Sequence, residues 1–171
     1  MKKMLLLFIA VLTVTLSQAQ ISSNLDSNGE YQTVIDVQDS TKTSYERTKQ
    51  WILTTYVNPK EIIVSDDENH HIKISAIQPE STTNGQSNPG FNYTLMFEFK
   101  EGKYRLSFNI NKLYISGQYS STWTYDTYFK GGELRKMNEA KVYRIKEIVD
   151  ELLNSHYNFV MKQTESTNDD W

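Results

Sequence analysis

The sequence predicts an α+β domain: one curved antiparallel sheet of five to six strands, two helices packed on one of its faces, and the order β-α-β-β-β-β-α. Three observations carry this prediction. Residues 91–100 and 104–110 alternate apolar and polar side chains with a period of two, on either side of the turn Lys100-Glu101-Gly102-Lys103. Residues 44–56 and 138–161 place apolar residues at helical spacing along one side only. Hairpin strands and one-sided helices bury their apolar faces best as two layers, helices on sheet.

Taken in order, residues 31–37 form the first strand, with Tyr31, Thr33, Ile35 and Val37 on one face. Thr43-Ser44-Tyr45-Glu46 has the form of a capping box, in which the Thr hydroxyl and the Glu carboxylate satisfy free amides at a helix start. A helix over 44–56 follows, with Tyr45, Thr48, Ile52 and Tyr56 on its stripe, Trp51 beside them and Pro59 as the stop. Strands at 61–65 and 71–77 pair Val64 with Ile72 and Ile62 with Ile74, which leaves Asp67-Glu68-Asn69 as a three-residue loop with Asn69 left-handed. Residues 78–90 (QPESTTNGQSNPG) hold many chain breakers and no large apolar residue, and read as a long mobile loop.

The central hairpin follows. Phe99 faces Tyr104, Phe97 faces Leu106 and Leu95 faces Phe108, so the two apolar faces coincide. After Ile110 the alternation restarts one residue late, which one extra residue in a β-bulge near Asn111-Lys112 explains. Residues 118–130 are polar but rich in aromatics, and read either as a sixth edge strand or as an ordered loop ended by Gly131-Gly132. The closing helix carries Val142, Ile145, Val149, Leu152 and Val160 on a stripe broadened by Ile148 and Leu153, a width that expects a sheet beneath.

The chain start reads as an export signal. Lys2 and Lys3 precede an apolar run over residues 4–16, and Ser17-Gln18-Ala19 supplies small residues where a signal peptidase reads them, so cleavage is expected before Gln20. The run is about thirteen residues against the roughly 18–20 that span a bilayer, so it is a signal and not a stable membrane anchor. The expected parts are therefore a signal at 1–19, a flexible lead-in at 20–30, the domain at 31–162 and a disordered tail at 163–171, with the product in the periplasm or outside the cell. Loss of Lys2 and Lys3 leaves 16 basic against 21 acidic residues, a net charge of −5. An acidic exported domain is a poor partner for nucleic acid. With no Cys in the chain, thiol catalysis, thiolate metal sites and disulfides are all excluded.

In its signal, its segments YQTVIDVQDSTKTSYERTKQWILTTYV and KYRLSFNINKLYI and its closing helix, the chain resembles a family of exported bacterial domains of unknown function with a TBP-like fold, named for the TATA-box-binding protein. The resemblance implies the half-unit of that fold. It implies no activity and transfers no functional residue, and the DNA binding of the namesake does not travel with the fold.

Candidate chemistry is sparse. Asp66, Asp67, Glu68, Asn69, His70 and His71 gather potential metal ligands, but adjacent His residues at a strand start point to opposite faces and the spacing of a calcium loop is missing, so the turn reading outweighs the metal reading. Of the three His, His156 reads as a partly exposed helical residue, and the chain has no Gly-x-Ser-x-Gly elbow. No cofactor is expected. Lys130, Arg135, Lys136, Lys141 and Arg144 form a basic concentration that nearby Glu133, Glu139 and Glu147 balance. The aromatics of residues 119–129 read first as edge-strand residues that close the core; if the domain binds a partner, the expected contact surface is Tyr119, Trp123 and Tyr125, where aromatics are dense and the burying alternation is poor, with Arg135 and Lys136 as a rim. The chain thus reads as a non-enzymatic binding module for an unknown protein or glycan partner, the alternative being a hydrolase of extracellular polymers.

Overall fold

The computed structural model describes residues 21–83, 86–115 and 121–166. The expected signal segment, Tyr119 and residues 167–171 lie outside the described residues.

The central hairpin is built as its alternation dictates. Strands β6 (Gly90–Lys100) and β7 (Lys103–Ile115) pair Phe97 with Leu106, Leu95 with Phe108 and Phe99 with Tyr104. Gly102 takes the left-handed conformation (φ 71°) that the tight turn between them requires. The register passes from Asn92 opposite Lys112 to Tyr93 opposite Ile110, so Asn111 is the extra residue of the bulge. Strand β1 (Glu30–Asp36) pairs with β7, β3 (His71–Gln78) with β6, and β2 (Ile63–Asp67) lies outside β3. The order is β1-β7-β6-β3-β2, and β8 (Ser121–Trp123) adds a sixth strand to β7 past the bulge.

Helices α1 (Thr41–Thr55) and α3 (Glu139–Ser166) pack together on one face of this sheet. Trp51 and Ile52 of α1 meet Phe97 from below and α3 residues Val149 and Leu153 share the same core. The indole N–H of Trp51 donates to Ser155 Oγ at 3.2 Å and ties the two helices. Arg47 reaches from α1 to Asp39 and to the main-chain oxygen of Val160, so its buried charge is paired. The α+β architecture and the layer arrangement are those predicted.

Several local expectations are corrected. The cap of α1 is Ser40, whose Oγ accepts from Thr43 N at 3.2 Å, and not Thr43. Ser44 and Tyr45 are already in the core, so the helix must begin a turn earlier, while Glu46 lies toward Lys42 at 3.8 Å. Residues 61 and 62 belong to a single helical turn, α2 (Pro59–Ile62), begun by Pro59 at its first position. The β2–β3 register becomes Ile63 with Ile74 and Asp66 with Ile72, and the irregularity between Ile63 and Ser65 leaves Val64 exposed instead of facing Ile72. Asn69 is left-handed as expected (φ 64°), in the loop closed by His70 N donating to Asp67 O at 2.9 Å.

The segment 78–90 contains a small hairpin, β4 (Ser81–Thr83) with β5 (Gln86–Asn88), held by main-chain pairing that carries no apolar signature. Residues 125–134 fold as a 3₁₀ turn (Tyr125–Tyr128) and a two-stranded ribbon, β9 (Phe129–Lys130) with β10 (Glu133–Leu134), so β8 and an ordered loop both occur. Helix α3 runs to Ser166, past the expected start of the tail at 163.

The lead-in is not a free segment. Asn154 of α3 takes the main chain of Ile21 at both ends, accepting from its N–H and donating to its C=O, each at 2.7 Å. Asp150 accepts from Ser23 N at 2.6 Å and from the Ser23 hydroxyl, and Ser23 is fully buried. Burial acts to raise the Asp150 pKa, but these bonds and Lys146 at 2.9 Å outweigh it and hold the carboxylate below its ordinary value.

Candidate functional site

Antiparallel pairing assigns every second residue to the face opposite the helices, and the register stacks those residues into rows that cross four strands. From β1 through β7 and β6 to β3, one row reads Gln32, Ser107, Met96, Lys73 and the next Glu30, Asn109, Thr94, Ser75. A third row is Val34, Arg105, Glu98, His71. Both long helices leave this face to solvent.

Short side chains at the middle of the first two rows, Ser107 and Thr94, are walled by longer ones, and a trough of about 560 Å³ results. Its groups are already ordered. Gln32 Nε2 donates to Ser107 Oγ at 3.0 Å, Asn109 Nδ2 to Glu30 Oε1 at 2.7 Å and Asn111 Nδ2 to Thr94 Oγ1 at 2.9 Å. Arg105 and Glu98 neutralise each other at 3.3 Å. Lys73 has no carboxylate partner among the described residues. Past the bulge the face turns more apolar, with a second hollow of about 630 Å³ between Ile77, Tyr114 and Ile115. The Tyr114 ring lies over Gly90, where any Cβ would come within 2.4 Å of it, and its hydroxyl donates to Gln78 O at 3.1 Å.

The expected aromatic surface fares differently. Tyr125 is a core residue, 2% exposed, against Tyr128 and Phe129. Trp123 pairs with Leu113 and therefore shares the core side of the sheet, where it is half-buried. The expectation of an exposed ring platform is thus corrected at Tyr125 and weakened at Trp123, and Tyr119 lies outside the described residues. Arg135 and Lys136 are exposed, next to the exposed Met137.

The polar cluster at the β2–β3 hairpin divides into local contacts. Asp66 accepts from Tyr45 OH at 2.6 Å and from Lys49 Nζ at 2.7 Å, and so clamps α1 to β2. Burial first, then Asp66, raises the Tyr45 pKa, and the hydrogen bond to Asp66 raises that of Lys49. Burial opposes ionisation of Asp66, but Lys49 and Tyr45 prevail and lower its pKa. A Tyr that holds its proton and a Lys that stays charged make a clamp and not a proton-transfer pair. Among the described residues no group of three or more His, Asp and Glu converges on a metal position.

Two His residues hold unforeseen positions. His156, expected to be partly exposed, has no exposed surface: it lies under Phe97 and Trp51, 3.0 Å from Thr48 Oγ1 and 3.4 Å from Tyr104 OH. Its correction is a matter of helix phase, since position 156 lies one turn past Leu152 and Leu153 on the broad stripe. His71 Nε2 lies 2.6 Å from Ser65 Oγ, and His71 Nδ1 lies 3.9 Å from Asp67 Oδ2. That order of groups is the order of a nucleophile, a base and an orienting acid, on an open hairpin with Asp67 well exposed.

The fold and its open face define the class: a TBP-like α+β domain with its free sheet surface away from two helices. Residues 31–112 are matched by the family model of DUF4468, a domain of unknown function with TBP-like fold, and this part of the chain is a DUF4468 domain. The solved structures agree on the fold. A TBP-like protein from Parabacteroides distasonis superposes with a TM-score of 0.64 at 12% identity, over 79% of this chain and 94% of that one. A DUF4468 family protein from Bacteroides ovatus gives 0.60 at 14% identity, over 79% and 87%. No curated protein sequence matches the chain. Likeness at such identity concerns the fold alone. Among the described residues no helix is long and apolar enough to cross a membrane.

Proposed function

We propose that this is an exported, non-enzymatic binding module whose contact surface is the open face of the sheet. The observation that supports the reading is the pair of rows Gln32-Ser107-Met96-Lys73 and Glu30-Asn109-Thr94, which present pre-ordered amides and hydroxyls in a trough of about 560 Å³. The partner is a protein segment or a glycan, both of which offer the matching donors and acceptors. Among the described residues the trough holds no nucleophile paired with a base. Amide chemical-shift mapping with a panel of oligosaccharides and short peptides tests the reading: shifts should gather at Thr94, Met96, Ser107 and Asn109, and Ser107→Arg should abolish them while the melting temperature holds. Shifts confined to the helices, or conversion of a panel member, would overturn it.

A second reading, a hydrolase of extracellular polymers, has one observation in its favour, the Ser65-His71-Asp67 order. It requires that Ser65→Ala abolish release of p-nitrophenol from p-nitrophenyl acetate by the protein; turnover equal in the variant and the unmodified chain removes it.

A further inference from the structure

We infer that the trough takes a short zwitterionic peptide, about four residues long, lying across the strands with its amino end at β1 and its carboxylate at β3. The inference rests on the binding reading above and adds the class of ligand. The charges of the trough are segregated: Asp26 and Glu30 stand at the β1 side and Lys73 at the β3 side, with neutral Ser107, Asn109 and Thr94 between them. Glu30 gives one oxygen to Asn109, and Asp26 caps the turn by accepting from Asn28 N and Glu30 N with one oxygen and from Asn28 Nδ2 at 3.5 Å with the other. Glu30 makes no ion pair among the described residues and Lys73 makes none either, so each keeps its charge for an incoming group of opposite sign.

Length follows from the register. Glu30 and Lys73 lie three strand spacings apart across the sheet and one row, two residues, apart along it, about 16 Å on the diagonal at ~4.8 Å per strand and ~3.4 Å per residue. An extended chain of four residues spans about 13–14 Å, and the ion-pair contacts of about 3 Å at its two ends take up the remainder. The neutral floor matches what lies between the ends of such a peptide, since carboxamide and hydroxyl groups exchange hydrogen bonds with peptide N–H and C=O. A neutral glycan would satisfy the floor but leave both walls uncompensated, and a polyanion or polycation would be repelled by one wall.

The probe is tetra-alanine with free ends, compared with its N-acetylated and C-amidated forms, titrated into the isotope-labelled protein. The free peptide should shift the amides of Thr94, Ser107 and Asn109, and each cap should weaken binding about five-fold, the worth of one part-exposed charge pair. Glu30→Gln should cut the effect of acetylation and Lys73→Gln that of amidation, a pairing that a purely structural role would not give. Equal binding of free and capped forms overturns the inference. So does silence toward tetra-alanine: if cellotetraose then shifts the same rows, the ligand class alone has failed, whereas silence toward the whole panel removes the binding reading as well.

Discussion

His156 is enclosed by Trp51, Phe97, Tyr104 and Thr48, with ring centroids 5.0 and 4.4 Å from those of Trp51 and Phe97. Burial pushes its pKa down from 6.5 to about 3, because a charged imidazolium would have to give up water without gaining an anion. The folded chain therefore holds His156 neutral. In the unfolded chain the same ring titrates at its ordinary value, so acid favours the unfolded state, which takes up a proton the folded state refuses. The contribution of this group is whole above pH 6.5 and falls away as the pH drops toward 3. Each pH unit costs about 1.4 kcal/mol once the unfolded ring is fully protonated, and since that ring is half protonated at pH 6.5, passing from pH 6.5 to pH 4.5 should remove about 2 kcal/mol. Against a domain stability of roughly 5–15 kcal/mol that is a large fraction. Urea unfolding of the unmodified protein and of His156→Gln at pH 7, 5.5 and 4.5 measures it. The variant is less stable at pH 7 through lost ring contacts, but its midpoint should change far less with pH. Parallel pH dependences for the two proteins over this window would refute the reasoning.

Three further outcomes are expected. Phe97 is fully buried opposite Leu106 and against the rings of Trp51 and His156, so Phe97→Ala should cost about 3–5 kcal/mol in chemical denaturation, and a loss under 1 kcal/mol would contradict the packing. Asn154→Ala removes both bonds to the Ile21 main chain and should cost about 1–3 kcal/mol while speeding hydrogen exchange at the Ile21 and Ser23 amides; unchanged exchange would mean that the strap is held elsewhere. The intact mass of exported protein should begin at Gln20, and a product that keeps Met1 would defeat the signal reading.

Reading the rows of the open face from the sequence needed the pairing register, and part of it was legible. Phe99 opposite Tyr104 followed from a four-residue turn, and the bulge at Asn111 from one slip of phase, so the β6–β7 half of the rows was in view. The partners on β1 and β3 were not, because nothing local says which strand lies beside which. Glu30 and Lys73 are 43 positions apart, and only the order β1-β7-β6-β3 makes them opposite walls of one trough. The exposure expected of Tyr125 fails for a related reason: irregular alternation does not imply exposure, because a 3₁₀ turn buries side chains with no period of two.

The fold class, the two helices, the central hairpin with its register and bulge, and the left-handed Asn69 all follow from local sequence. These depend on neighbours a few residues apart, where periodicity, turn chemistry and chirality act directly. Tertiary structure alone decided that Asp150 and Asn154 seize the lead-in, that His156 lies in the core, that Val64 is turned out by an irregular pairing, and that Lys73 and Glu30 face one trough. Val64 apart, whose hairpin is local but irregularly paired, each of these sets a polar group against partners far along the chain. Polar pairing leaves no apolar period in the sequence, and its partner exists only once the sheet order and the helix phase have been set by the burial of everything else.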